Sequence, residues 1–300
     1  MAERKYQKPR KRNIDKKKVS EFLNSINFEV EFISQEWRHL TAFGKYQNKD
    51  AVFKLASTLV TSKRTRNEFW WNNAVNKIPT KNFVVPQNFD SGYYGKLFYL
   101  IEQRFLGEAL IRRDSTDPSR VAPRIKQITL VTKEIEELKI TSNKKSQYKA
   151  GENLFESSVE WAKQVPLDLD LFLKVIQKAK DSLRTAPAHG DFVPRQMFHV
   201  NGKIGLIDGE FAGVNGPLYL DAAQFYLRLR VDSDSKDIAK EYLIIFKDIL
   251  DPPDRDIFWE ELKPVLIQRY IGDLWGAAKN SKKLKELKPL GEEILRDKII

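Results

Sequence analysis

The stretch Ala188-His189-Gly190-Asp191-Phe192-Val193-Pro194-Arg195-Gln196-Met197-Phe198, followed by Gly205-Leu206-Ile207-Asp208-Gly209-Glu210, decides how this 300-residue chain is read. Residues 197–200 and 203–208 carry strand signals, and Asn201-Gly202 between them is a two-residue hairpin turn signal. The hairpin puts Gln196 at the start of one strand and Asp208 at the end of the other. Asp191 lies on the loop before them, so all three side chains can face one cavity. A carboxylate beside a substrate hydroxyl accepts its proton. A second carboxylate with an amide oxygen offers hard ligands for Mg²⁺, which takes few protein ligands and fills its shell with phosphate oxygens and water. Read blandly, the same stretch is a loop with a capping aspartate and a strand that ends in another. Against the bland reading stand a Phe-x-Pro after Asp191, an Ile-Asp-x-Glu whose aspartate falls seventeen residues after it, and a Gly-Pro-x-x-x-Asp ending at Asp221.

Working outward, the front third is strand-rich. Near-alternation from Phe28 predicts a first strand, with a second over 39–46, a turn at Gln47-Asn48-Lys49-Asp50 and a third strand over 51–56. A helix follows over 62–76, then an extended segment from 84–86, a hairpin turn at 92–95 and a buried strand over 97–102 that Phe105-Leu106-Gly107 closes. Beyond Gly107 the spacing is helical over 124–138, 155–165, 169–184, 222–229, 238–250, 255–278 and 283–296. A polar break lies at 144–151, and the 197–208 hairpin carries the only strand signal. There is no internal repeat and no long Gly, Ser or Pro linker. Strands followed by helices predict an α+β chain: a basic tail or helix over 1–27, a sheet-rich N-lobe over 28–104 and a helical C-lobe over 105–300.

The constellation resembles the aminoglycoside phosphotransferase and choline kinase group of small-molecule kinases, relatives of the protein kinases with an H-G-D-x-x-x-x-N loop and a following I-D-x-E strand. The resemblance runs in order from Phe28 to Arg230. It implies a bilobal protein-kinase-like fold and a cytoplasmic enzyme. That enzyme would use ATP and Mg²⁺ to move the γ-phosphate onto a hydroxyl of an aminoglycoside-, choline- or sugar-like acceptor. By the same resemblance Asp191 is the catalytic base, Asp208 the main Mg²⁺ ligand with Gln196 beside it, His189 a structural residue of the loop, and Asp221 a brace beneath it. A kinase also needs a lysine on its third strand to hold phosphates and a helix glutamate to hold the lysine. Lys54 in Val52-Phe53-Lys54-Leu55 and Glu68, fourteen residues on, meet that need. Taken singly, Lys54 reads as an edge lysine that discourages aggregation and Glu68 as a solvated helix residue; their order and spacing favour the functional reading. Residues 99–107 resemble the hinge, so adenine is expected at backbone groups near Glu102, Gln103 and Arg104, with Ile101 and Phe105 as apolar walls.

Two features depart from the group. Gln196 stands where Asn is usual, with the same amide oxygen on a longer side chain. The loop Ser34-Gln35-Glu36-Trp37-Arg38 has no glycine, so its backbone cannot approach phosphates as a Gly-rich loop does, although Arg38 can reach them by side chain. These departures keep a second class open, a catalytically weak or silent nucleotide-binding protein. The acceptor itself is unidentified. Glu210, Tyr226, Arg228, Asp273 and Trp275 are its candidate contacts, and Glu210 and Asp273 either leave room for an amine-bearing alcohol or are salt-bridged structure.

Bulk composition bounds the rest. The net charge is +11, of which residues 1–18 supply +7, so the body is only mildly basic. Such a tail suits weak contact with nucleic acid or an anionic surface, or serves as a solubilising end that binds nothing. No zinc-finger or RNP-like motif supports a nucleic-acid-binding body. Cysteine is absent, which excludes disulfides and thiolate metal sites. No apolar run reaches membrane-span length, and MAERKYQKPRKRNIDKKK has no apolar signal core. A soluble cytosolic protein is expected.

Overall fold

The computed structural model describes residues 13–36, 38–112, 115–141 and 150–299. Most of the basic tail, Trp37 and most of the polar break at 144–151 lie outside the described residues. The chain divides into two compact units: one takes the chain up to Thr80, Val84–Gly107 and Gly205–Phe211, and the other takes the rest. The expected division at residue 104 therefore misses Gly205–Phe211, which carries Asp208 and belongs with the first unit.

In the first unit, α1 (Lys16–Ser25) begins at Asp15, whose carboxylate accepts the N–H groups of Lys17 and Lys18. Val19 and Leu23, four residues apart, share one face and are fully buried against Phe28, Leu40, Phe53, Leu55, Tyr99 and Ile101. Of the two readings of 1–27, helix is right for this part. The strands are β1 (Phe28–Gln35), β2 (His39–Tyr46) and β3 (Lys49–Ala56). After α2 (Leu59–Val75) and the two-residue β4 (Phe83–Val84) come β5 (Asn88–Tyr94) and β6 (Leu97–Gln103). Five of these strands, without β4, form an antiparallel sheet in the order β1-β2-β3-β6-β5. The β2–β3 turn is only Gln47-Asn48, both in the left-handed region (φ 51° and 61°), so Lys49 and Asp50 start β3 instead of sitting in the turn. The β5–β6 turn is likewise tighter than expected: Gly95 takes φ 62°, and Gly92 lies inside β5. Ser34 and Gln35 belong to β1, paired with Thr41 and Leu40, which shortens the glycine-free loop. A register shift between Val30 and Phe32 breaks the alternation and leaves Phe32 60% exposed. Gly44 is required where β1 and β2 come close, since a Cβ there would lie 1.8 Å from the Glu29 carbonyl oxygen.

Period-two alternation sorts the two faces of this sheet. Ala51, Phe53, Leu55, Tyr99 and Ile101 pack with α1, so Lys54 and Glu102 point to the opposite face, where α2 lies. Thr58 caps α2, which starts three residues earlier than expected, by accepting the Thr61 N–H.

The second unit is mostly helical: α3 (Ile125–Glu136), α4 (Ala150–Ala162), α5 (Asp170–Ala179), α6 (Leu220–Asp232), α7 (Lys236–Asp248), α8 (Pro252–Gly276) and α9 (Ser281–Leu295). Tyr219, Phe225, Tyr242, Phe246 and Phe258 pack ring to ring in its core, with centroids 4.6–6.1 Å apart. Two strands here carry no signal in the sequence. β7 (Thr185–Ala188) pairs antiparallel with β10 (Gly213–Pro217), Ala188 opposite Gly213 and Thr185 opposite Pro217. Between them lies the expected hairpin of β8 (Met197–Val200) and β9 (Lys203–Leu206), turned by Asn201 (φ 48°) and Gly202 (φ 81°). β9 ends at Leu206, two residues before Asp208. Gln196 closes a single 3₁₀ turn over Pro194–Gln196, ahead of β8.

Candidate active site

Lys54 is the centre of the first unit's polar cluster. Its Nζ lies 2.6 Å from Glu68 Oε1, 2.7 Å from Glu102 Oε1 and 3.7 Å from Asp208 Oδ1. Glu68 is fully buried and Glu102 is 2% exposed. Burial pulls the ammonium towards neutrality, but Glu102, Glu68 and Asp208 together hold its pKa well above the usual lysine range. Asn72, one turn beyond Glu68 on α2, donates from Nδ2 to Glu102 Oε2 at 2.9 Å. One helix face thus fixes both carboxylates, and both fix the lysine. The sequence reading found Lys54 and Glu68 but gave Glu102 only a backbone role. Its position on the same sheet face as Lys54 was the signal available.

Asp208 stands with φ 70°, a left-handed conformation that aspartate tolerates better than most residues. Its side chain is 29% exposed, and its separation from Lys54 is longer than that of either glutamate. A partly exposed carboxylate held at that distance fits a metal that takes one or two carboxylates and completes its shell with phosphate oxygens. Among the described residues no group of three or more His, Asp or Glu forms a complete metal cage. Glu210, two residues on, is buried and pairs with Arg38. Burial, then the Asp208 carboxylate, push its pKa up to about 7 against the pull of Arg38 and Arg64. Arg38 and Arg64 also lie over the Phe211 ring at 5.7 and 4.8 Å. The guanidinium of Arg38, expected at a phosphate, is engaged with Glu210 here. His39 meets Thr65 Oγ1 at 3.0 Å, and burial lowers its pKa to about 4 despite the nearby Asp208.

At the expected hinge two backbone donors already have partners. The Gln103 N–H donates to the Gln87 carbonyl at 2.8 Å and the Arg104 N–H to the Asp50 carbonyl at 3.0 Å, so both backbone donors are engaged within the sheet. The Arg104 side chain pairs with Glu31 at 2.8 Å and lies over Phe43. Ile101 is part of the core against α1 and faces away from Lys54, so it forms no wall beside the lysine.

In the second unit, the β7–β10 pairing shapes the His189–Asp191 loop. The chain leaves β7 directly into His189-Gly190-Asp191, with Gly190 at φ 77°, and passes from β10 through Leu218 and Tyr219 into α6. Asp221, in the first turn of α6 and 1% exposed, accepts the His189 N–H at 2.6 Å and the Gly190 N–H at 2.9 Å. Burial raises its carboxyl, while His189 and the two backbone donors oppose that rise. Tyr219 (φ 64°) leads into the helix with its N–H on Glu136 Oε1 at 3.1 Å, a support from α3 that the sequence did not reveal. Gln196 donates from Nε2 to Asp191 Oδ2 at 2.9 Å, which orients its carbonyl oxygen away from that carboxylate.

The acceptor candidates separate. Tyr226 is fully buried and accepts from Arg230 at 2.7 Å. Trp275 stacks on Trp161 and donates to Gln164 at 3.0 Å. Glu210 is the salt-bridged partner of Arg38. Arg228 and Asp273 pair with each other, and Arg228 also senses the charge of Asp191.

Comparison with protein-family models finds no match, and comparison with curated proteins finds none. Solved structures do match. The crystal structure of aminoglycoside phosphotransferase APH(4)-Ia aligns with TM-score 0.68 at 14% identity, over 94% of this chain and 99% of that chain. A thermostable mutant of it, in ternary complex with ADP and hygromycin B, also aligns with TM-score 0.68, at 12% identity over 92% and 97% of the two chains. The GDP and kanamycin complex of APH(2")-IIia aligns with TM-score 0.64 at 13% identity, over 93% and 99%. The chain has the aminoglycoside phosphotransferase fold, with the five-stranded antiparallel sheet in one unit and most of the helices in the other, as the resemblance implied. Among the described residues no helix is long and apolar enough to cross a membrane.

Proposed function

We propose that this chain is a small-molecule kinase that transfers the γ-phosphate of ATP to an acceptor hydroxyl. The observation that carries the reading is Lys54 held at 2.6 and 2.7 Å by two buried carboxylates, in a chain whose solved structural neighbours include complexes with ADP and GDP. Lys54 binds the nucleotide phosphates, and Glu68 and Glu102 fix its position. Asp191 receives the proton of the acceptor hydroxyl as its oxygen attacks the γ-phosphorus in line. Gln196 orients the Asp191 carboxylate, and Asp221 fixes the backbone from which it projects. Asp208 would hold magnesium, which would supply neutralisation of phosphate charge. Positioning and electrostatics give most of the rate.

The second reading, a silent nucleotide-binding protein, draws on three observations. Lys54 is shared by three acids, Arg38 is paired with Glu210, and Gln196 replaces Asn. Fluorescent-nucleotide binding and transfer to a panel of alcohols separate the two. Asp191→Asn is expected to lower kcat by about 10³-fold, within the range typical of a lost general base, and to leave nucleotide binding intact. Mg-dependent nucleotide binding with no transfer to any alcohol favours the silent protein. No Mg-dependent nucleotide binding at all removes both readings.

A further inference from the structure

The charges gathered around Asp191 select the kind of alcohol it meets. Arg228, on α6, donates to both carboxylate oxygens of Asp273 on α8 and reaches Asp232 Oδ1 at 3.4 Å. Arg195, on the loop between Asp191 and β8, holds the other oxygen of Asp232 at 3.1 Å. Arg269, one turn before Asp273 on α8, lies within the electrostatic reach of Asp191, Asp221 and Asp273, as Arg228 lies within that of Asp191. Arg228 and Arg195 are therefore paired with Asp273 and Asp232, Arg269 adds a third positive charge to the same cluster, and Asp221 is already engaged by two backbone N–H groups.

We propose that the acceptor presented to Asp191 is an alcohol of near-zero net charge, a neutral polyol or a zwitterion, and not a polycation. This rests on the kinase reading above. A ligand with several ammonium groups needs carboxylates that do not already carry a cation, because each ammonium loses water on binding and meets the site's arginines as like charges. Here Asp273 and Asp232 are each held by arginine, and the Arg228 and Asp273 side chains are only 19% and 17% exposed. The net charge of +4 outside residues 1–18 adds no attraction for cations. Paired guanidinium donors and carboxylate acceptors instead match hydroxyl groups, each of which donates and accepts. They also match a zwitterion, whose two charges meet one partner each. The proposal sets the chain apart from structural neighbours whose complexes contain hygromycin B or kanamycin.

The test uses the full chain with Mg-ATP and compares kcat/KM for sugars, linear polyols and hydroxy amino acids with that for kanamycin and choline. The best substrate is expected among the neutral or zwitterionic alcohols, ahead of kanamycin by about tenfold or more. Its KM should change by less than about twofold between 50 and 500 mM KCl, where an exposed charge attraction would be screened. Arg228→Gln should raise the cation-to-neutral ratio of kcat/KM by about tenfold, one full charge of discrimination, whereas a merely structural role would lower both together. If that variant fails to fold, Arg195→Gln, at a side chain 44% exposed, should shift the ratio in the same direction. Preference for kanamycin or choline, or a KM that climbs steeply with salt, overturns the proposal and leaves the kinase reading standing. Nucleotide binding with transfer to no neutral or zwitterionic alcohol also overturns it. Absence of nucleotide binding overturns the kinase reading itself.

Discussion

Replacing Lys54 with Met removes the ammonium shared by Glu68, Glu102 and Asp208 while keeping a side chain of similar length. At an effective dielectric of 20, the contacts at 2.6 and 2.7 Å correspond to a gross attraction of about 6 kcal/mol each. Desolvation of the three ions cancels most of it, so the ion cluster itself adds little net stability. Its removal is another matter, because two buried carboxylates are left without a cation, at a cost of roughly 3–5 kcal/mol. At roughly 2–4 °C per kcal/mol, Tm should fall by roughly 6–20 °C. Urea unfolding followed by the fluorescence of the six tryptophans measures the loss directly. The pH dependence supplies the sign check. Burial raises the Glu68 carboxyl, and Lys54 is the chief opposing influence, so in the variant the folded-state pKa lies further above the unfolded value. The folded variant then binds more protons than its unfolded chain near neutrality, and its deficit should be smaller at pH 5 than at pH 7. Lys54→Met combined with Glu68→Leu should recover part of the stability without recovering nucleotide binding. A single variant as stable as wild type at pH 7, or a deficit that does not shrink at pH 5, would refute the electrostatic reasoning.

Asp221→Asn replaces one acceptor oxygen with a donor that faces a backbone N–H. A loss of about 2–3 kcal/mol is expected for the unmet buried group, with kcat reduced by about 10²-fold through displacement of the Asp191 loop and nucleotide affinity little changed. Thermal unfolding and turnover measured together check it, and unaltered kcat in a destabilised protein would disconnect the brace from the chemistry. His39 supplies a stability term of its own. Its pKa of about 4 in the folded chain lies below the unfolded value of 6.5, so its contribution is fully present above 6.5 and is lost as pH falls towards 4. The loss amounts to roughly 3 kcal/mol. In His39→Gln this part of the pH–stability curve should flatten; a curve identical to wild type between pH 4 and 7 rules the assignment out.

The sequence by itself determined the features that depend on neighbours along the chain. The Asn201-Gly202 hairpin, the strand and helix order, and the separation of Lys54 from Glu68 are local patterns, because turn chemistry and periodicity act over a few residues. The motif around Asp191 was legible for the same reason. Tertiary structure decided what depends on partners far along the chain. β7 and β10 are written Thr-Ala-Pro-Ala and Gly-Val-Asn-Gly-Pro, poor strand sequences that acquire extended structure only by pairing with each other. Glu102 joins Lys54, Glu136 reaches Tyr219, and Arg38 meets Glu210, at separations no periodicity encodes. The backbone N–H groups of Gln103 and Arg104 donate to the carbonyls of Gln87 and Asp50, an outcome set by chain pairing and invisible in residue identity. Around Asp191, the sequence supplied both arginines and aspartates. Folding α6 and α8 against that loop set them against one another, because a half-buried ion is tolerated only beside its counter-charge.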